Sequence, residues 1–187
     1  MRAVVIVDGL NLYHALKDLG PNLSRPDLTR LSSHLLGRRF DEVEHFYFTS
    51  APQHLGRAAL DHYFLLKASL ESSGVKVVEG RFQRSITKCK MCGNQTDVYK
   101  EKQTDVAMAL KIVESAKLAN IQELLLFSAD ADLEPALVLA RELNPQLTLS
   151  IAQTGSFLKR AAYSLVSRAD RKIKLSSGLM QGFQFPY

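Results

Sequence analysis

Two short apolar runs in this chain end on acidic residues. Residues 3–7 (AVVIV) lead into Asp8, and residues 123–127 (ELLLF) lead into Ser128-Ala129-Asp130-Ala131-Asp132. A further acid, Asp105, opens a helical stretch beginning at Thr104. Continuous apolar runs of this length are the pattern of strands buried on both faces of a parallel sheet. In open α/β folds, sites gather beyond the carboxyl ends of such strands. If these ends lie side by side, the four carboxylates Asp8, Asp105, Asp130 and Asp132 converge in one shallow pocket. Like charges at that range repel unless they are protonated or share a cation. An all-oxygen cluster suits Mg²⁺ or Mn²⁺. An ion so held activates water and stabilises charge developing on a phosphate, so the chemistry implied is metal-assisted phosphodiester hydrolysis.

Each acid has a plainer role available to it. Asp8-Gly9 alone reads as a turn after a strand. Asp132 precedes a helix and can serve as its N-cap, and Asp105 at a helix start gains from the helix dipole. Asp130 follows an apolar strand end with no capping duty of its own. Asn11 serves either as an N-cap or as a group orienting a ligand. The combination favours a metal site over four separate structural coincidences. An aspartyl nucleophile of the phosphatase kind would want a second acid two residues after Asp8, where Leu10 stands.

The elements that must position these residues alternate. Strands are expected at 3–7, 42–49, 75–78, 123–127 and 147–152, with a short one near 172–175. Helices are expected at 11–19, 26–36, about 57–72, 104–116, 133–143 and around 157–166. Pro135 is tolerable in a first helical turn. Such alternation argues for a parallel sheet covered on both faces, a three-layer α/β/α domain over residues 1–175. A polar, basic segment at about 80–101 interrupts the rhythm and reads as an inserted hairpin or loop. Residues 176–187 hold three aromatics and read as a C-terminal tail that packs or is disordered.

Bulk properties narrow the class. The chain has 187 residues, 46% hydrophobic and 23% charged, ordinary for one globular domain. It shows neither a signal-peptide pattern nor an apolar run near the ~18 residues of a membrane span, so a cytoplasmic location and no membrane partner are expected. The net charge of +5 is clustered. Arg81, Arg84, Lys88, Lys90, Lys100 and Lys102 stand against Asp97 and Glu101, and six more Lys/Arg between Lys159 and Lys174 stand against Asp170. Basic clusters of this kind are consistent with a polyanionic partner, with Arg81, Arg84 and Lys102 as candidate contacts to its backbone. Tyr13 can stack on a base or sit in the core.

Cys89-Lys90-Met91-Cys92-Gly93 has the shape of half a zinc site. The other two ligands would come from His54 or His62, or from the same pair in a second subunit, which would make a homodimer. Two reduced thiols in a loop is the competing reading.

Three segments together resemble the NYN domain family of the PIN-like (Rossmannoid) nuclease superfamily. They are Asp8-Gly-Leu-Asn11 after the first strand, Glu101-Lys-x-Thr-Asp105-Val before a helix, and Ser128-Ala-Asp130-Ala-Asp132-Leu after the fourth strand. The resemblance runs from about residue 2 to residue 175, including Ala169-Asp170. It implies a divalent-metal-dependent endoribonuclease acting on RNA. On that analogy Asp8, Asp105 and Asp130 are the main metal ligands, and Asp132 binds metal or positions the attacking water. Asn11 and Ser128 hold ligands or substrate phosphate. Where the family often shows Ser-Gly-Asp, Ala129 replaces the glycine, which requires a backbone there without a positive φ. An RNA-binding module with a vestigial metal site is the alternative, and loss of cleavage without loss of binding in Asp8→Asn would separate the two.

Overall fold

The computed structural model describes residues 1–20, 22–37, 40–155 and 160–185. Six parallel strands form one sheet: β1 (Arg2–Asp8), β2 (Glu42–Thr49), β3 (Lys76–Glu79), β6 (Ile121–Phe127), β7 (Thr148–Gln153) and β8 (Arg171–Lys174). Their order is β3-β2-β1-β6-β7-β8. The chain therefore winds outward in one direction from β1 and in the other from β6, and the switch point falls between these two strands.

Burial on both faces explains the apolar runs. In β1, Val4 and Ile6 pack with Leu124 and Leu126 against Met108 and Ile112 of α4 (Thr104–Ala116) and Leu137 and Ala140 of α5 (Glu134–Leu143). The alternate residues Ala3, Val5 and Val7 face the other layer. There they meet Leu12 and Leu16 of α1 (Gly9–Leu19), Leu28 and Leu31 of α2 (Leu28–Leu36), and Leu66 and Leu70 of α3 (Arg57–Ser72). Strand parity sets Asp8, the last residue of β1, on the α4 side with Ile6, and carries Ser128, just past β6, there after Leu126. The three-layer α/β/α architecture is the one expected from the alternation of elements.

The basic insertion is a hairpin. β4 (Arg81–Lys88) and β5 (Gln95–Lys102) pair antiparallel over eight residues each, largely exposed, from Arg81↔Lys102 at the base to Lys88↔Gln95 near the tip. Gln103, at φ +80°, turns the chain from β5 directly into α4. A left-handed conformation is uncommon for a residue with a Cβ, and here it sets Asp105 in the first turn of α4 at the strand ends.

Of the helix expected at 157–166, residues 157–159 lie outside the described residues, and α6 spans Arg160–Ser167. The tail packs. α7 (Ser177–Gln181) is followed by Phe183 and Phe185, both set against the α1/α2 layer. The Asp27 amide donates to the Phe183 carbonyl at 2.8 Å, and the Phe185 amide to the Arg25 carbonyl at 2.9 Å. Among the described residues no helix is long and apolar enough to cross a membrane.

Candidate metal and substrate site

Asp8 is the last residue of β1 and the N-cap of α1. Its Oδ1 accepts from the Asn11 amide at 3.0 Å, and its Oδ2 accepts from the Ser128 hydroxyl at 3.1 Å. Ser128 Oγ in turn accepts from the Asp130 amide at 3.0 Å. Asp130 Oδ1 accepts from the Asp132 amide at 3.0 Å. A line of hydrogen bonds thus runs from β1 across the switch point into the loop after β6. Asp8 is only 7% exposed. Burial pushes its carboxyl up to about 6, the charges of Asp105 and Asp130 add to the rise, and the Asn11 amide and Ser128 hydroxyl restrain it.

Two more acids are perturbed in the same sense. Asp105 is raised by partial burial and by Asp130 and Asp132, with Lys102 opposing. Glu101, at the end of β5, is raised by burial and then by Asp8 and Asp105. Its Oε1 is buried without a hydrogen-bond partner. Acids from β1, β5, α4 and the loop after β6 therefore lie within electrostatic reach of one another. Among the described residues, no three His, Cys, Asp or Glu side chains already stand close enough together to hold one ion.

Local roles differ from those expected in three places. Asp130 does have a capping duty: it N-caps the short 3₁₀ turn Ala131–Leu133, and Asp132 lies inside that turn rather than capping a helix. Asn11 is not the cap of α1, which falls to Asp8. Gly9 is not a loop turn but the first residue of α1, and its lack of a side chain answers a close approach by Tyr47 and Phe48. Ala129 is not among the described residues of positive φ, and its side chain packs on the α4/α5 core, so the backbone there needs no glycine.

A family model for the NYN domain matches residues 2–176. The chain belongs to the NYN domain family. This is a PIN-like nuclease family, and the match spans the sheet, its helices and the hairpin. No curated protein matches the chain. Among solved structures, a protein of unknown function from Vibrio parahaemolyticus superposes with a TM-score of 0.60 at 15% identity, covering 98% of this chain and 96% of that one. At that identity the likeness speaks for the fold.

Of the basic residues expected near the acids, Arg81 and Lys102 pair with each other at the hairpin base, exposed, with Lys102 acting on Asp105. Arg84 lies further up and is engaged by Asp97 at 2.8 Å. Cys89 and Cys92 sit at the far tip, exposed and reduced. His54 stacks on Tyr99 with ring centroids 4.3 Å apart and meets Phe82, well below the tip, so it is not a ligand partner of these cysteines. His62 lies lower still, on α3, where it shares a cavity with Phe82.

Two cavities flank Asp8 in this NYN domain. One, of about 250 Å³, lies between α1 and the ends of β6 and β7 and is lined by Asn11, Ser128, Gln153 and Thr154. The other, of about 210 Å³ and mostly apolar, is lined by Tyr13, His14, Tyr47, His62 and Phe82. Gln153 and Glu101 were not expected as functional residues. Both amide atoms of Gln153 are buried and unpartnered. Its signal in the sequence is a polar residue closing the apolar strand TLSIAQ.

Proposed function

We propose that this NYN domain is a divalent-cation-dependent endoribonuclease acting on RNA at the aspartate cluster. The observation that carries the reading is the raising of Asp8, Glu101 and Asp105, first by burial and then by neighbouring carboxylates, acids delivered by separate elements to the switch point of the sheet. The donor set fits Mg²⁺ or Mn²⁺, being oxygen only, and Glu101 lies close enough to Asp8 and Asp105 to feel their charge. Asp8, Asp105 and Asp130 would hold the ion, with Asp132 and Glu101 completing the set. When bound, such an ion supplies a more acidic water and neutralises charge building up on the phosphate.

The chain's own groups do the rest. The Asn11 amide and Ser128 hydroxyl fix the orientation of the Asp8 carboxylate, so that little rearrangement is needed when substrate arrives. Asp132, exposed on the 3₁₀ turn, orients the attacking water and accepts its proton. Arg81 and Lys102 draw the phosphate backbone toward the acids. Replacing both with Ala is expected to weaken RNA binding uniformly across sequences. The slope of log affinity against log salt should flatten by about 1.4, at ~0.7 per phosphate contact for single strands. An unchanged slope would place the backbone elsewhere.

Gln153 provides a polar edge at one cavity. Gln153→Ala should raise KM for a short RNA by about tenfold, the worth of one or two hydrogen bonds, with kcat little changed. A fall in kcat alone would instead make it part of the transition-state machinery.

The deciding experiment incubates wild type and Asp130→Asn with end-labelled single-stranded and structured RNA, in Mg²⁺ or Mn²⁺ and in EDTA. Cleavage should require the cation and fall by about 10²-fold or more in the variant. RNA bound but never cut, across all substrates, would overturn the nuclease reading in favour of a binding module.

A further inference from the structure

The hairpin tip is built around sulfur. Cys89 follows the last residue of β4, and its amide donates to the Asn94 carbonyl at 2.8 Å. The Gly93 amide closes the turn onto the Cys89 carbonyl at 3.0 Å, with Gly93 at φ +74°, a conformation that side-chain-bearing residues rarely adopt. The turn leaves both cysteines exposed at the tip, three residues apart, and the backbone N–H groups of Cys92 and Met91 and the Cys92 thiol hold the Cys89 thiol below its usual range. Two thiols on one tight turn, one of them lowered in this way, are arranged to share one soft cation.

One chain cannot complete that site. Zinc in a structural site takes four ligands in a tetrahedron, and these are the only two cysteines in the sequence. The described residues include every Cys, His, Asp and Glu of the chain, and no three of them are grouped to hold an ion. His54 stacks on Tyr99 and meets Phe82 edge-on, and these lie about 17–23 Å down the hairpin from Cys89 at ~3.3 Å per residue. Asp97 is held by Arg84. The missing pair must come from another molecule.

The tip is dressed for a second copy of itself. Met91 is 97% exposed and Ile86 62% exposed, apolar surface that a solvated hairpin end has no use for. Lys88 and Lys90 flank the cysteines. Four thiolates around Zn²⁺ carry a net charge of −2, which one lysine from each tip would offset. A two-fold arrangement lets the same patch serve both partners. We infer that the hairpin tips of two copies of this chain share one Zn²⁺ through Cys89 and Cys92 of each, joining the copies as a dimer. The joined hairpins form one basic band linking two acidic sites.

The test uses the full chain, purified without chelator, and needs no assay of activity. Zinc content and solution mass should give one zinc per two chains and twice the 20.9 kDa chain mass. Titration with a mercurial should release one zinc for every four thiols and leave monomers. Cobalt substitution should show the visible absorption of a tetrahedral four-sulfur site. The Cys89→Ser/Cys92→Ser variant should be a zinc-free monomer that still unfolds in one cooperative thermal transition, since the tip touches no core. A zinc-bearing monomer, a zinc-free monomeric wild type with or without a disulfide, or a dimer that survives the double substitution would each overturn the inference.

Discussion

In chelator at pH 8, the Asp8→Asn variant is expected to be more stable than the wild type by up to about 3 kcal/mol, while in Mg²⁺ or Mn²⁺ its RNA cleavage falls by ~10³-fold. The two effects share a cause. Asp8 is buried at a strand end beside Asp105 and Asp130, and its carboxyl is lifted from 3.8 to about 6. A folded-state pKa above the unfolded one means that the native state binds the proton more tightly. The stability this group contributes is full below about 4 and is lost as pH rises through about 6. Asn mimics the protonated carboxyl, keeping an acceptor for the Asn11 amide, so its advantage should appear only above that window. Urea denaturation of both proteins at pH 4 and pH 8 in EDTA checks this, and equal stability at pH 8 would show that the buried charge costs nothing.

The cation arm carries the other half. Mn²⁺ at one hundred times its dissociation constant should stabilise the wild type by ~2.7 kcal/mol. It should leave Asp8→Asn nearly unmoved, because the variant has lost the anchored ligand. Such a pair of outcomes would mark a site tuned for binding rather than for stability.

Much of this arrangement is legible in the sequence because a parallel sheet covered on both faces writes itself as uninterrupted apolar runs. Residues 3–7 and 123–127 lie in strands, as does the aromatic-rich stretch 42–49, and the acids after the first two fall at the switch point. What stays illegible depends on pairing between distant segments. Glu101 comes within reach of Asp8 only because the hairpin returns on itself in one register and Gln103 turns left-handed at its end. Neither register nor a positive φ at glutamine is written in composition or periodicity. The division of labour between Asp130 and Asp132 rests on a 3₁₀ turn of three residues, too short for any periodic signal. Glu123, the acid that opens an otherwise apolar strand, is 1% exposed because Arg171 and Ser150 meet it from β8 and β7. Phe183 and Phe185 find their place only after α1 and α2 are in position.

Gly9→Ala separates local propensity from tertiary contact most sharply. On propensity alone, Ala at the first position of α1 should be the better residue by up to ~1 kcal/mol. A Cβ at Gly9, however, would stand 2.6 Å from two ring atoms of Tyr47 and 2.7 Å from the Phe48 carbonyl oxygen. Phe48 is held in register opposite Asp8 between β1 and β2, so its carbonyl cannot retreat without opening the sheet. Relief must come from an outward shift of the Asp8–Gly9 link itself. That shift withdraws the Asp8 carboxylate from the Ser128 hydroxyl, whose bond is 3.1 Å long, and turns it away from the other acids. The expected result is a loss of about 3 kcal/mol in stability, at the upper end for overpacking. Cleavage should fall by ~10²-fold, the scale of an ångström's misplacement at a reacting centre. Gly178→Ala in α7, where a Cβ meets nothing within 4 Å, supplies the control and should be neutral or slightly stabilising. If Gly9→Ala proves as stable as the wild type, the approach of β2 does not constrain this turn. The position of Asp8 would then be set by its hydrogen bonds to Asn11 and Ser128 alone.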